Sequence, residues 1–157
     1  ENNIEWAAKL EDAGCHVIYG RDYLKVHAKL LLITRKSSKG IAHTAHVATG
    51  NYNEKTANLY TDVGILTSSE DVANDIILSF RELSMGYTGE EYRVFYVSPD
   101  GIRKKFYEMI ENEIRCKEMY ARGGHIIAKL NSLADKELID RLIKASQAGV
   151  KMRESRA

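Results

Sequence analysis

The sequence is short of the residues that mark several protein classes. Its two cysteines, Cys15 and Cys116, are too few and too far apart for a disulfide framework or a zinc knuckle, which points to a reducing, cytosolic setting. The longest apolar run, Leu30-Leu31-Leu32-Ile33, is far too short to cross a bilayer. Charge of one sign is missing too: 23 Lys plus Arg against 22 Asp plus Glu leave a net charge of +1, without the strongly basic profile of a general nucleic-acid binder. There is one proline, no low-complexity segment and no repeat of solenoid length, which sets aside disordered and fibrous architectures. What remains is an ordinary globular composition, 157 residues at 44% hydrophobic and 29% charged. That is enough chain for one compact domain, or one domain and part of a neighbour. It opens at Glu1 without Met or a signal-peptide pattern, and reads as a piece excised from a longer protein.

Apolar periodicity predicts a helix over 3–13, stopped at Gly14. His16-Val17-Ile18-Tyr19 reads as a short strand ended by Gly20, and Arg21-Asp22 as a turn. Leu24 to Thr34 carries apolar residues on both faces and reads as a central strand covered by helices on both sides. The segment 35–40 is hairpin-like, with Ala42 to Ala48 as the partner strand. Leu59 to Leu66 is a further strand. Ser68 and Asp71 resemble a capping box opening a helix that carries Val72, Ile76, Ile77, Phe80 and Leu83. The pattern breaks over Gly86 to Glu91, the candidate domain boundary. Beyond it come a strand (Tyr92 to Val97), a turn (Ser98 to Gly101), a helix with Ile102, Phe106, Met109, Ile110 and Ile114 on one face, a strand (His125 to Leu130), and a helix carrying Leu138, Ile139, Leu142 and Ile143 that stops near Gly149. Strands alternating with helices argue for an α/β fold.

Two constellations could do chemistry. His27 and Lys29 stand two apart on the predicted strand, on one face. Such a polar pair needs a partner or a cleft; a lone strand histidine has the plainer reading of a hydrogen-bonded structural residue. An imidazole is a competent nucleophile or acid–base group near neutral pH, and an adjacent ammonium supplies the fixed positive charge that a phosphoryl group needs. The second is Gly50-Asn51-Tyr52-Asn53-Glu54-Lys55. Gly50 permits close backbone approach, and the two carboxamides offer donors without adding charge. Equally, Asn53 is a fair N-cap for a short helix. His16, His43, His46 and His125 take the structural reading, as do Trp6 and the two thiols. Arg103-Lys104-Lys105 reads as a solvated helix face.

His27-x-Lys29 followed by Gly50-x-x-Asn53 resembles the layout of the phospholipase D-like superfamily, whose histidine attacks phosphorus while Lys and Asn hold the oxygens. That superfamily commonly has Asp where this chain has Thr34, and Ser where it has Asn51, which argues against a phosphodiesterase. A narrower likeness is closer. Leu24 to Ile33, the block Thr49-Gly-Asn-Tyr-Asn-Glu-Lys-Thr-Ala57 with Leu59-Tyr-Thr-Asp62, the opening Asn2 to Trp6, Ala13 to Ile18, Ser98-Pro99 with Arg103 to Phe106, and Lys129-Leu-Asn131 with Asp140-Arg-Leu142 closely resemble the polyphosphate kinase family of bacteria. The likeness weakens only over Lys151 to Ala157, where the family continues with an apolar strand ending in Arg-Gly.

The resemblance implies reversible transfer of the terminal phosphoryl group of ATP to inorganic polyphosphate, with release of ADP. By motif position the family's phosphorylated histidine falls on His27 and its ATP-contacting tyrosine on Tyr60. Lys29 as an electrostatic clamp, and Asn51 and Asn53 as donors to phosphate oxygens, are assigned from chemistry. Mg²⁺ is implied as cofactor, with no ligand identifiable here. The implied architecture is the end of one phospholipase D-like lobe, a mixed sheet flanked by helices, over 1–91, and the beginning of a second over 92–157. Family members build their site between two such lobes, and the second catalytic histidine is not reached, so the isolated piece is expected to be weak or inactive. No nucleic-acid partner is implied. The full-length protein is expected to be a cytoplasmic homo-oligomer, an expectation compatible with association at the inner membrane face. Two rivals stand beside this reading: a phospholipase D-like phosphodiesterase, and a non-catalytic polyanion-binding module, which the near-neutral charge disfavours.

Overall fold

The computed structural model describes residues 2–20, 25–86 and 91–156. The elements are mixed α/β: α1 (Asn2–Asp12), β1 (Lys29–Ser37), β2 (Gly40–Ala48), α2 (Glu54–Ala57), β3 (Gly64–Thr67), α3 (Glu70–Met85), α4 (Asp100–Met119), β4 (His125–Leu130), α5 (Lys136–Gln147) and β5 (Lys151–Arg156). They fall into two compact units. The first comprises Glu1–Tyr52 and Val63–Val94, the second Asn53–Asp62 and Phe95–Ala157.

The first unit is built on a three-stranded antiparallel sheet, order β1-β2-β3. Ser37 pairs with Gly40, so Ser38-Lys39 form a two-residue hairpin loop, and Gly40 adopts a φ of 114° that favours glycine. Helix α3 packs on β1 and β2. Ala45, Ala73 and Ile76 are fully buried there, and the two alanines allow close approach of helix and sheet. Ser69 caps α3 by accepting the Val72 amide. Glu70 and Asp71 in its first turn suit the positive end of the helix.

Several expectations are corrected. The strand over 24–34 begins only at Lys29 and runs on to Ser37. Leu24 and the Arg21-Asp22 turn lie outside the described residues, and His27 sits in irregular chain ahead of the strand. Among the described residues β1 stands at the edge of the sheet, not at the centre expected of it. Its two apolar faces differ in fate: Leu30 and Leu32 are half-buried on the face that carries Ala45, whereas Leu31 and Ile33 remain 46% and 48% exposed. His16 to Tyr19 is irregular. The strand expected over 59–66 shrinks to Gly64–Thr67, because Asn53 nucleates α2 and Thr49 Oγ1 takes the Val63 amide at 3.0 Å. The cap is Ser69, one residue after the one expected.

Tyr92 to Val97 is not a strand. The backbone amides of Arg93 and Val94 instead donate to the two carboxylate oxygens of Asp75, at 3.0 and 2.8 Å. Asp75 stands on α3 with 2% exposure, a buried carboxylate whose charge is met by backbone donors. Tyr92 donates its hydroxyl to Glu82 at 2.5 Å; burial, and then that bond, raise the phenol above its ordinary pKa, so it stays a donor at neutral pH. Of the expected boundary segment, 87–90 lies outside the described residues.

The second unit pairs β4 with β5 in parallel, with α4 packed on α5 and β4. Its core is Ile110, Ala145 and Val150, with Ile114, Ile126, Leu138 and Leu142 against it. α5 ends as the sequence expects, at Gly149 with φ 87°, where the amides of Gly149 and Val150 close on Ser146 and Ala145. Between α4 and β4 the chain passes so close to itself that a Cβ on Gly123 would lie 2.2 Å from the Cys116 carbonyl oxygen. β5 forms where no strand was expected, although its residues are polar: the backbone ladder to β4, not a hydrophobic pattern, defines it.

Candidate active site

The first unit brings His27 and Lys29 together. His27 is exposed, while Lys29, the first residue of β1, is only 8% exposed. The Lys29 ammonium lies 3.1 Å from each ring nitrogen of His27 and donates to the His27 carbonyl oxygen at 2.7 Å. Only one ring nitrogen of a neutral imidazole carries an accepting lone pair, and the ammonium is equidistant from both, so this contact holds the ring electrostatically while the carbonyl bond fixes the amine. The pair therefore arises from a lysine folding back on irregular chain, not from strand alternation. It sets a buried cation against an exposed imidazole.

Asn51 is exposed in the loop that leaves β2. Asn53 is the N-cap of α2, its side-chain oxygen accepting from the amides of Lys55 and Thr56 at 3.0 and 3.2 Å. The capping role weighed from sequence is thus real. It commits the oxygen and leaves the carboxamide NH2 as the end that can meet an anion. Tyr60 follows α2 in a turn, 44% exposed. Asn51 belongs to the first unit and Asn53 and Tyr60 to the second.

Thr34 lies directly opposite His43 in the hairpin register, and its hydroxyl meets Nδ1 of that histidine at 3.0 Å. Both side chains are therefore engaged with one another. His46 bonds through Nδ1 to the Tyr52 hydroxyl at 2.8 Å. Its Nε2 would come within 2.7 Å of a Cβ at Gly64, so glycine on β3 makes room for this ring. Spacing gives no sign of the link from His46 to Tyr52, which stands six residues on, inside the block that begins at Thr49.

Magnesium prefers an octahedral set of oxygen ligands. Among the described residues no three His, Cys, Asp or Glu side chains gather into a metal-binding group. The described residues thus offer no ready-made cage for a magnesium ion, which is ordinarily held by one or two carboxylates together with waters and the substrate's phosphates. Among the described residues, too, no helix is long and apolar enough to cross a membrane.

Comparison with known proteins is consistent along the chain. The sequence profile of polyphosphate kinase C-terminal domain 1 matches residues 1–89, and that of C-terminal domain 2 matches residues 95–153. A polyphosphate kinase of Staphylococcus epidermidis is 48% identical over 152 residues, covering 97% of this chain and 21% of its own length. One from Bacillus cereus is 47% identical, over 97% of this chain and 22% of its own. The crystal structure of polyphosphate kinase from Porphyromonas gingivalis superposes with a TM-score of 0.84 at 29% identity, covering 98% of this chain and 24% of that one. The chain thus spans about a fifth of the length of the curated relatives it matches. On these matches, the chain belongs to the polyphosphate kinase family.

Proposed function

We propose that this chain is the phosphohistidine-bearing segment of an enzyme that moves the terminal phosphoryl group of ATP reversibly onto inorganic polyphosphate. The observation that carries the reading is the exposed His27 imidazole with the Lys29 ammonium 3.1 Å from it. In the first step an imidazole nitrogen attacks the γ-phosphorus. The N–P bond forms, the bond to the β–γ bridging oxygen breaks, and ADP leaves with the electron pair. In the second step a terminal oxygen of polyphosphate attacks the same phosphorus, the N–P bond breaks, and the imidazole is regenerated. Splitting the transfer in two spares donor and acceptor from meeting at once. The moving phosphoryl group spreads negative charge over three oxygens, so positioning and fixed positive charge supply most of the acceleration. Lys29 supplies that charge, held in place beforehand by its bond to the His27 carbonyl.

Asn51 and the NH2 of Asn53 donate to phosphate oxygens in this reading, and Tyr60 contacts the nucleotide. Magnesium enters as the counter-ion of ATP rather than on a site of this chain. Residues 1–91 close one phospholipase D-like lobe and 92–157 open a second, and the full-length protein self-associates in the cytoplasm.

The test is ATP-dependent lengthening of polyphosphate by the full-length protein carrying this segment, with release of ADP; the isolated 157 residues are expected to be weak or inactive. Release of product from a model phosphodiester without ATP would instead favour a hydrolase. Asn53→Asp separates the two roles of its side chain. Aspartate caps as well as asparagine, so the thermal transition is expected to stay in place. The donor, however, becomes a carboxylate facing phosphate, and the transfer rate is expected to fall by about 10²-fold. An unchanged rate would confine Asn53 to capping.

A further inference from the structure

The bonding between β2 and β3 does not stop where the strands do. Their last pair is Ala48 with Gly64, and one step further along stand Thr49 and Val63. In a regular antiparallel pair each residue could donate its amide to the other's carbonyl. Half of that exchange is present: the Thr49 amide donates to the Val63 carbonyl at 3.0 Å. The other half is made by a side chain. The Val63 amide donates to the Thr49 hydroxyl oxygen at 3.0 Å, and that hydroxyl donates in turn to the Val63 carbonyl at 3.4 Å. One residue thus meets both backbone groups of Val63, its hydroxyl standing in for a strand carbonyl where the backbone bends at Thr49 and Gly50.

What lies between the two residues gives this closure its weight. Residues 50–62 carry Asn51, Asn53 and Tyr60, the groups given to phosphate and nucleotide apart from His27 and Lys29. The chain that bears them leaves and returns through the Thr49–Val63 neck. A second tie lies just inside it. The Tyr52 hydroxyl bonds to Nδ1 of His46 at 2.8 Å, with the two rings 5.8 Å apart, and His46 stands on β2 opposite Leu66. Asn51 is therefore bracketed, with position 49 fixed to Val63 and position 52 to β2. Asparagine has only two side-chain dihedrals, so a fixed backbone on both sides leaves its carboxamide few directions. All of these bonds are made within the first unit.

We propose that Thr49 is a positioning residue for phosphoryl transfer: by closing the neck on Val63 it holds Asn51 where the carboxamide donates to the transferring phosphate. The proposal rests on the donor role given to Asn51 above. A donor held in place beforehand needs no reorganisation as charge develops, whereas one on an open-necked loop must be brought into position at each turnover.

The experiment uses the full-length protein carrying this segment, with ATP-dependent polyphosphate synthesis read as ADP release at saturating ATP. Thr49→Val keeps the size and β-branch of the residue but deletes the hydroxyl, and is expected to lower the rate about tenfold. Thr49→Ser restores the hydroxyl and is expected to bring the rate back to within about twofold of the parent. In an Asn51→Ala background, Thr49→Val is expected to cost less than about twofold more, because two residues acting through one donor are not additive. Amide hydrogen exchange across 50–63 is expected to be about tenfold faster in Thr49→Val and close to the parent in Thr49→Ser. Should Thr49→Val not fold, Thr49→Ala takes its place with the same expectations. An unchanged rate or unchanged exchange without the hydroxyl, a loss that serine does not repair, or an undiminished loss beside Asn51→Ala would each overturn the proposal. ADP release does not depend on which residue carries the phosphate, so label on a residue other than His27 would end the phosphohistidine reading and leave this one standing. A parent protein that makes no polyphosphate would end both.

Discussion

Replacing Asp75 with alanine is expected to remove about 2–4 kcal/mol of stability from the first unit. The carboxylate is 2% exposed and receives the backbone amides of Arg93 and Val94. Alanine deletes both acceptors at once, and an amide left without a partner away from water costs roughly 1–3 kcal/mol. Two such amides span about 2–6 kcal/mol, and because both are part-buried the sum falls in the lower half of that span. A domain holds roughly 5–15 kcal/mol in total, so this one side chain decides whether 91–94 stays docked on α3. Asp75→Asn keeps one acceptor but turns an NH2 toward the second amide, so an intermediate loss is expected. Urea denaturation reads both, as a lower midpoint at unchanged slope. A loss below about 1 kcal/mol for Asp75→Ala would show that the segment finds other acceptors.

Lys29→Met is expected to lower the rate of phosphoryl transfer to the protein by about 10²–10³-fold in the full-length enzyme, the usual effect of deleting one preorganised group that meets developing charge. Methionine approximates the stem of lysine, so the buried space is filled and the ammonium alone is removed. Its absence also frees the His27 carbonyl, loosening the chain that carries the nucleophile. Lys29→Arg keeps the charge but presents it as a planar fork and is expected to recover part of the rate. Single-turnover labelling from γ-labelled ATP separates this effect from substrate binding. If Lys29 only fills space, Met and Arg variants would transfer at the parent rate.

Legibility in the sequence followed the kind of force involved. Helices with a clear apolar stripe and a glycine stop, such as α5 before Gly149, were readable, because periodicity and a left-handed residue are local properties. β4 was readable for the same reason, and the hairpin of β1 and β2 from its polar turn. The strand expected over 92–97 failed because a distant side chain, Asp75, captured the backbone amides that a neighbouring strand would have taken. The clue was present: an acid stands in α3 directly before Ile76, inside the apolar stripe. β5 went unread because pairing with β4, rather than hydrophobicity, makes it a strand.

At the candidate site, the spacing of His27 and Lys29 suggested that they act together, but through the wrong local structure. The irregular chain before β1 and the lysine's return to the His27 carbonyl are tertiary facts that alternation cannot supply. Asn53 showed the opposite case. Both of its readings were visible in sequence, and the structure gives the capping role to one end of the carboxamide while leaving the other free to act. The bond of His46 to Tyr52 needed coordinates, since nothing in the spacing alone distinguishes it from two unrelated side chains.

The most direct measurement is the chemical identity of the phosphorylated residue. The full-length protein is incubated with γ-labelled ATP and magnesium, digested under alkaline conditions, and its labelled peptides are sequenced. The account requires an alkali-stable, acid-labile phosphate on the peptide that contains His27, discharged by added polyphosphate and absent from His27→Ala. Label that survives unchanged in His27→Ala, or that resists acid, would contradict it.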